Sequence, residues 1–255
     1  LEQWRLIEEG PSDAFLNMAV DEAIALSVKG ANAPPTLRFY EWSKMSVSIG
    51  CFQKIGVVDG LYCNANGIPI VRRPTGGRAI LHWDELTYSF SARTEDGFHK
   101  GLLESYRLIS GAFFSAFLRL GIDAGVEGKR RGSNGRGPLC FDSLSYGELS
   151  VGTRKLIGSA QRRWQDGLLQ QGSMPFRHDF GRLKNIFKLC EDSAFDPAPL
   201  DGAIKESLKR AIRESFEERF SVRLSPSSLT EMEREESLRL LHEKYLCPEW
   251  NHKVR

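Results

Sequence analysis

The stretch RRPTGGRAILH (72–82) sets two adjacent glycines among three arginines. Gly76 and Gly77 carry no Cβ, so the chain can turn tightly here and bring its backbone close to a ligand. Arg72, Arg73 and Arg78 surround that turn with positive charge suited to a phosphate, a carboxylate or a polar amide. A glycine hairpin with exposed arginines is the plainer reading, and the segment matches neither the P-loop nor the dinucleotide fingerprint. Downstream, RKLIGSAQRR (154–163) opens with Lys155 and runs to Gly158, Ser159 and Ala160. A lysine on a strand is commonly a solvated edge charge. Turned into an acyl pocket instead, its ammonium could stabilise a thiolate or a developing oxyanion, with the small residues leaving room for a ligand chain.

Between these segments lies GPLCFDSLSYGEL (137–149), with Cys140. A free cysteine is either a small buried apolar group or a nucleophile, and its neighbours decide which. His82 is a general base or a packing and hydrogen-bonding residue after a strand. Asp142 orients the cysteine loop or caps a turn. Cys51, Cys63, Cys190 and Cys247 have no comparable setting and read as inert thiols.

The elements that must position these groups follow from periodicity. Residues 12–29 predict a helix capped by Ser12, with Leu16, Ala19, Val20, Ala23 and Leu26 as its stripe. Asp21 and Glu22 fall off that stripe and are expected to be solvated. Short β-branched and aromatic runs at 36–42, 46–52, 68–73, 78–82 and 86–92 predict strands. Residues 100–120 return to helical spacing, and 146–151 with 154–164 predict a hairpin turning at Gly152-Thr153. Beyond DPAPLDG (196–202) come charged amphipathic helices, the first with a seam at Ile204, Leu208, Ile212 and Phe216, and SPSS (225–228) separates them.

The chain of 255 residues can bury a substantial core. Its 35 Lys and Arg against 33 Asp and Glu give a net charge of +2, which argues against general nucleic-acid binding. No apolar run suggests a membrane span. The opening residues lack a signal-peptide layout, so residence in the cytoplasm is expected. Five scattered cysteines without a CxxC pair predict reduced thiols, with no disulfide framework and no metal site.

NMAVDEAI (17–24), LRFYEWSKMSVSIGCFQ (37–53), RRPTGGRAILH and RKLIGSAQRR stand in the order and spacing of the biotin/lipoate protein ligase superfamily, which the chain resembles along most of its length. The resemblance implies a mixed α/β (α+β) fold: a mixed β-sheet core flanked by helices over 1–197, with a small C-terminal helical extension over 198–255. Lipoate ligases line their acyl site with an RR-x-[ST]-G-G-[GR] loop and with the lysine of [RK]-K-x-x-G-[SN]-A. Carried over, Arg72, Arg73, Thr75, Gly76, Gly77, Arg78, His82, Gly158, Ser159 and Ala160 are expected to bind substrate.

The segment Pro138–Ser143, with Cys140 fifteen positions before Lys155, is similar to the octanoyltransferase branch. So is GGRAxLHxxELTYS, matched from Gly76 to Ser89. That branch implies transfer of octanoyl from acyl carrier protein to a lysine of the glycine cleavage H protein or a lipoyl domain. Cys140 and Lys155 are then the expected catalytic pair: a cysteine thioester intermediate, a lysine ammonium beside it, no ATP and no cofactor. The enzyme is expected to be a monomer. The basic stretch 128–137, with Lys129, Arg130, Arg131 and Arg136, is a solvated loop or a dock for an acidic carrier. Three alternatives stay open: an ATP-dependent lipoate ligase, an octanoyl amidotransferase between lipoyl domains, and a carrier-binding relative without activity.

Overall fold

The computed structural model describes residues 1–126, 149–152, 154–188 and 200–252. The elements run β1 (Glu2–Ser12), α1 (Ala14–Lys29), β2 (Thr36–Trp42), β3 (Ser46–Ile49), α2 (Gly60–Ala65), β4 (Ile70–Arg72), β5 (Ile80–His82) and β6 (Glu85–Arg93). There follow α3 (Leu102–Arg119), β7 (Gly125–Val126), β8 (Leu149–Val151), β9 (Arg154–Lys155), β10 (Gly158–Arg163), β11 (Gly167–Pro175) and α4 (Phe180–Phe187). The last are α5 (Lys205–Phe220), β12 (Val222–Ser227), α6 (Glu231–Leu240) and α7 (Pro248–Asn251).

A six-stranded mixed sheet in the order β10-β11-β6-β2-β1-β12 is the centre of the molecule. Side chains alternate across it. On one face Trp4, Leu6, Leu37, Phe39, Tyr88 and Phe90 join Phe113 and Phe117 of α3 and Leu208, Ile212 and Phe216 of α5 in the largest core cluster. On the other face Arg38, Tyr40 and Ser89 reach α1 through hydrogen bonds. A small sheet, β4-β3-β5, stands beside this second face and carries its own apolar cluster with α2 and α4. A third sheet, β7-β8-β9, is antiparallel.

The mixed α/β architecture expected from the sequence is present, with four departures. Helix α1 is capped by Asp13, whose side chain accepts the Phe15 N–H at 2.8 Å, because Ser12 is still the end of β1. Asp21 and Glu22 are buried rather than solvated, at 0% and 5% exposure. Twelve of the sixteen residues of α1 are buried, so its polar side faces protein donors instead of water. The run 154–164 breaks at Leu156-Ile157, which turn into the main core, so Lys155 and Gly158 belong to different sheets. Residues 198–255 are not only helical: β12 pairs in parallel with β1, and Pro226 is admitted because that strand is the sheet edge. Cys140, Asp142, the stretch 128–137 and Cys190 lie outside the described residues.

Candidate active site

The turn after β4 is built from its own arginine. Arg73 donates from Nε and Nη2 to the Gly76 carbonyl at 3.1 and 2.6 Å, and from Nη2 to the Arg78 carbonyl at 2.7 Å. Its Nη1 reaches Ser48 Oγ at 3.1 Å on β3. The guanidinium therefore holds the glycine turn in shape. Gly77 has φ +83°, and a Cβ there would stand 2.9 Å from Arg73 Nη2 and 3.3 Å from the Ala160 Cβ, so the turn rests on β10. From the other side Gly50 abuts it so closely that a Cβ on Gly50 would overlap the Gly77 carbonyl oxygen. Gly50→Ala must push the turn off β10. We expect it to cost about 1–3 kcal/mol of stability. Chemical denaturation measures the loss; a midpoint at the wild-type value would show that the turn tolerates the displacement.

Arg72 is 1% exposed, and its guanidinium donates to the carbonyls of Gly50, Gln53, Trp250 and Asn251. Burial pulls it below its ordinary basicity. It braces the backbone around the turn. Thr75 is fully buried and donates to Gln171 Oε1 at 2.8 Å. Arg78 is half-buried at the end of the turn.

Under this turn lies a narrow pocket between the large and small sheets. The small sheet and the glycine turn contribute Ser48, Arg73, Ile80 and His82; β2 and β6 contribute Tyr40, Trp42 and Thr87. Gly158, Ser159 and Ala160 of β10, Gln171 to Ser173 of β11 and Met18 of α1 close it. Ser159 is fixed from the far face, its Oγ 3.0 Å from Tyr88 Oη and its carbonyl accepting from Tyr106 Oη at 3.1 Å.

His82 lies between Ser48 Oγ, 2.7 Å from Nε2, and Glu85 Oε1, 2.7 Å from Nδ1, and the Trp42 ring stacks on it at 3.9 Å. A carboxylate only accepts, so Nδ1 carries a proton toward Glu85. Glu85 also accepts from Thr87 Oγ1 at 2.5 Å and Ser173 Oγ at 2.7 Å. Burial alone would raise this carboxyl, but the His82 ring and those hydroxyls outweigh it and hold it below its ordinary value. His82 is thus locked as a pocket wall by three neighbours.

Asp21 organises the opposite wall. It accepts from Arg38 Nη1 at 2.7 Å, Tyr40 Oη at 2.8 Å, Ser89 Oγ at 2.6 Å and Gln171 Nε2 at 2.7 Å. Gln171 in turn receives Thr75, so the carboxylate on α1 is linked to the glycine turn through one side chain. Burial alone would lower the Arg38 guanidinium, yet Asp21 and Glu9 hold it above its ordinary value. Burial and Asp21 push the Tyr40 hydroxyl well up.

Lys155 is 3% exposed and opposite Ser150 in β9, three residues ahead of Gly158. Burial, with Asp59 nearby, pushes the Cys63 thiol up to about 11, which leaves little thiolate there. The structure therefore gathers Arg73, His82, Gly158, Ser159 and Ala160 around the pocket, with Thr75, Gly76 and Gly77 in its turn and Arg72 behind it. Met18, Tyr40, Trp42, Ser48, Thr87 and Gln171 were not singled out by sequence reasoning. Alternation places Tyr40 and Trp42 on one face of their strand, a signal that was available; Gln171 sits on β11, where no strand pattern announces itself.

A mixed sheet here carries a glycine turn closed over a small pocket whose exposed lining is largely apolar. The model of the lipoyl protein ligase A/B catalytic domain matches residues 13–212, and the chain belongs to that family. It is similar to octanoyltransferase LipM of Kyrpidia tusciae, at 38% identity over 99% of this chain and 100% of that one. Octanoyltransferase LipM of Symbiobacterium thermophilum is also 38% identical, over 97% of each chain. The fold superposes with a TM-score of 0.81 and 25% identity on the bi-partite lipoate protein ligase of Thermoplasma acidophilum, solved in a study of that ligase and its E2 lipoyl domain, covering 100% of this chain and 98% of that one.

Proposed function

We propose that the chain is an octanoyltransferase of lipoate biosynthesis that takes octanoyl from acyl carrier protein onto Cys140 and passes it to a lysine of a lipoyl domain or of the glycine cleavage H protein. The observation that carries this reading is full-length similarity, at 38% identity, to octanoyltransferases. The pocket supports it: Met18, Trp42 and Ile80 offer an apolar wall for a short acyl chain.

The chemistry balances without an activating nucleotide. The Cys140 thiolate attacks the carbonyl carbon of the carrier thioester, the carrier thiolate leaves, and a new thioester remains on the enzyme. A neutral lysine amine of the acceptor then attacks that carbonyl; the amide forms, the amine proton is released and the Cys140 thiolate returns. The role assigned to Lys155 is electrostatic: its ammonium, brought to the thiol, would favour thiolate and then oppose the charge of each tetrahedral oxyanion. Backbone N–H groups from Gly76 to Arg78 are assigned as the neutral oxyanion donors. Arg73, Thr75, Gly158, Ser159, Ala160 and His82 shape the acyl site. The setting is the cytoplasm, where thiols stay reduced.

The test is intact-protein mass spectrometry of the chain incubated with octanoyl-acyl carrier protein and no ATP. One octanoyl increment on the enzyme, lost on adding an acceptor that gains it, is the expected result. An acceptor modified only when free lipoate or octanoate is supplied with ATP would replace this reading with that of a ligase.

A further inference from the structure

The last described turn of the chain grips the pocket from behind. Asn251 accepts the backbone N–H of Arg72 on Oδ1 at 2.8 Å, and its carbonyl accepts from Arg72 Nη2 at 3.1 Å. The Trp250 carbonyl accepts from Arg72 Nε at 2.9 Å, while Trp250 Nε1 donates to the Arg72 carbonyl at 2.8 Å. Residue 72 is therefore bound on its backbone donor, its backbone acceptor and its side chain by two consecutive residues. Asn251 is fixed in turn, its Nδ2 donating to the Tyr245 carbonyl at 2.5 Å.

The same segment reaches the other wall. Lys244 Nζ donates to both oxygens of Glu22 at 2.8 and 2.6 Å, and Tyr245 Oη donates to Oε2 at 2.6 Å. Glu22 also receives Arg162 Nη1 at 3.4 Å, from the strand whose Gly158 to Ala160 line the pocket. The Lys244 ammonium stands 4.1 Å from the centre of the Trp250 ring, joining the two grips. One short segment thus spans from the small sheet, which leads into the glycine turn, to α1 and β10 of the large sheet. The pocket is the gap between those sheets.

We propose that Trp250 and Asn251 are positioning residues for acyl transfer, a brace that sets how far the glycine turn stands from β10. The proposal rests on the pocket being the acyl site, but the brace itself is a mechanical property that is measured without substrate. The large core cluster contains no residue beyond Leu224; Trp250 packs instead in a smaller cluster with Tyr245, Val71, α1 and Tyr40 of β2, so exchange over the main sheet is read alongside that of the turn.

The experiment is deuterium exchange on the full chain, read separately over residues 73–79 and over β2 and β6, together with the kinetics of octanoyl-enzyme formation. Asn251→Leu is expected to raise exchange over 73–79, leave β2 and β6 unchanged, and lower kcat by about tenfold with little change in KM for the carrier, as a misplaced reacting group requires. Trp250→Phe, which keeps a ring but loses one donor, is expected to show the same pattern more weakly. Exchange over 73–79 that stays at the wild-type level, or that rises in step with β2 and β6, overturns the brace. Should the wild type form no octanoyl-enzyme at all, the transfer reading fails, while the exchange result still decides the brace.

Discussion

With Cys140 replaced by alanine, the chain is expected to carry no octanoyl after incubation with the acylated carrier, and acceptor labelling is expected to fall by about 10⁴-fold or more, the loss typical of removing a nucleophile. Cys63 does not rescue it. Cys63 is buried and pushed up to about 11, so it offers almost no thiolate near neutral pH. Peptide mapping of the wild-type adduct places the increment; an adduct that persists undiminished in Cys140→Ala would show that the acyl group resides elsewhere. Fold alone does not decide this point, because a lipoate protein ligase shares the architecture. On the reading proposed above, the Cys140 sulfur is the atom that lets this chain exchange thioesters.

The second large effect is expected at Asp21. Asp21→Asn keeps the size of the side chain but leaves the Arg38 guanidinium, 1% exposed, with only the half-exposed Glu9 as a counter-charge. Breaking a buried ion pair on one side costs about 3–5 kcal/mol, which for a chain of this length lowers the thermal midpoint by an amount on the order of 10 °C. Ser89→Ala removes one of the same four hydrogen bonds without touching charge and is expected to cost about 1 kcal/mol. Calorimetry of the two variants compares them directly. Equal losses would mean that the carboxylate's charge contributes nothing beyond its hydrogen bonds. Asp21→Asn should also slow transfer, since Gln171 loses the partner that aims it at Thr75.

Asp21 also marks where sequence reading stops. A helical stripe of apolar residues says which side of α1 meets a core, but it assumes that the opposite side meets water. Here that side meets Arg38, Tyr40, Ser89 and Gln171, donors 17 to 150 residues away, which no local pattern connects. The glycine turn and the small residues of 158–160 were legible because their spacing is local and their lack of side chains is itself the message. Trp42 and His82 were each visible as strand residues, whereas their stacking across two sheets was not. β11 escaped notice because it is buried on both faces and carries Gln170 and Gln171 in its middle, which erases the alternation that advertises a half-buried strand. β12 was hidden in a serine- and proline-rich stretch that reads as a linker.

That last strand has a consequence for how the molecule comes into being. β1 lies inside the sheet, between β2 and β12, and its register with β12 pairs Glu2 with Val222 and Ile7 with Ser227. On a ribosome, which releases the chain from its N-terminal end, β1 finds β2 early but waits for more than two hundred residues before its other side is covered. Through that interval it presents a row of unpaired backbone donors and acceptors beside Trp4 and Leu6, the kind of edge that recruits other chains. Synthesis of the sheet is therefore finished from its far end, and a stalled or clipped chain lacking Val222–Ser227 is a sticky one.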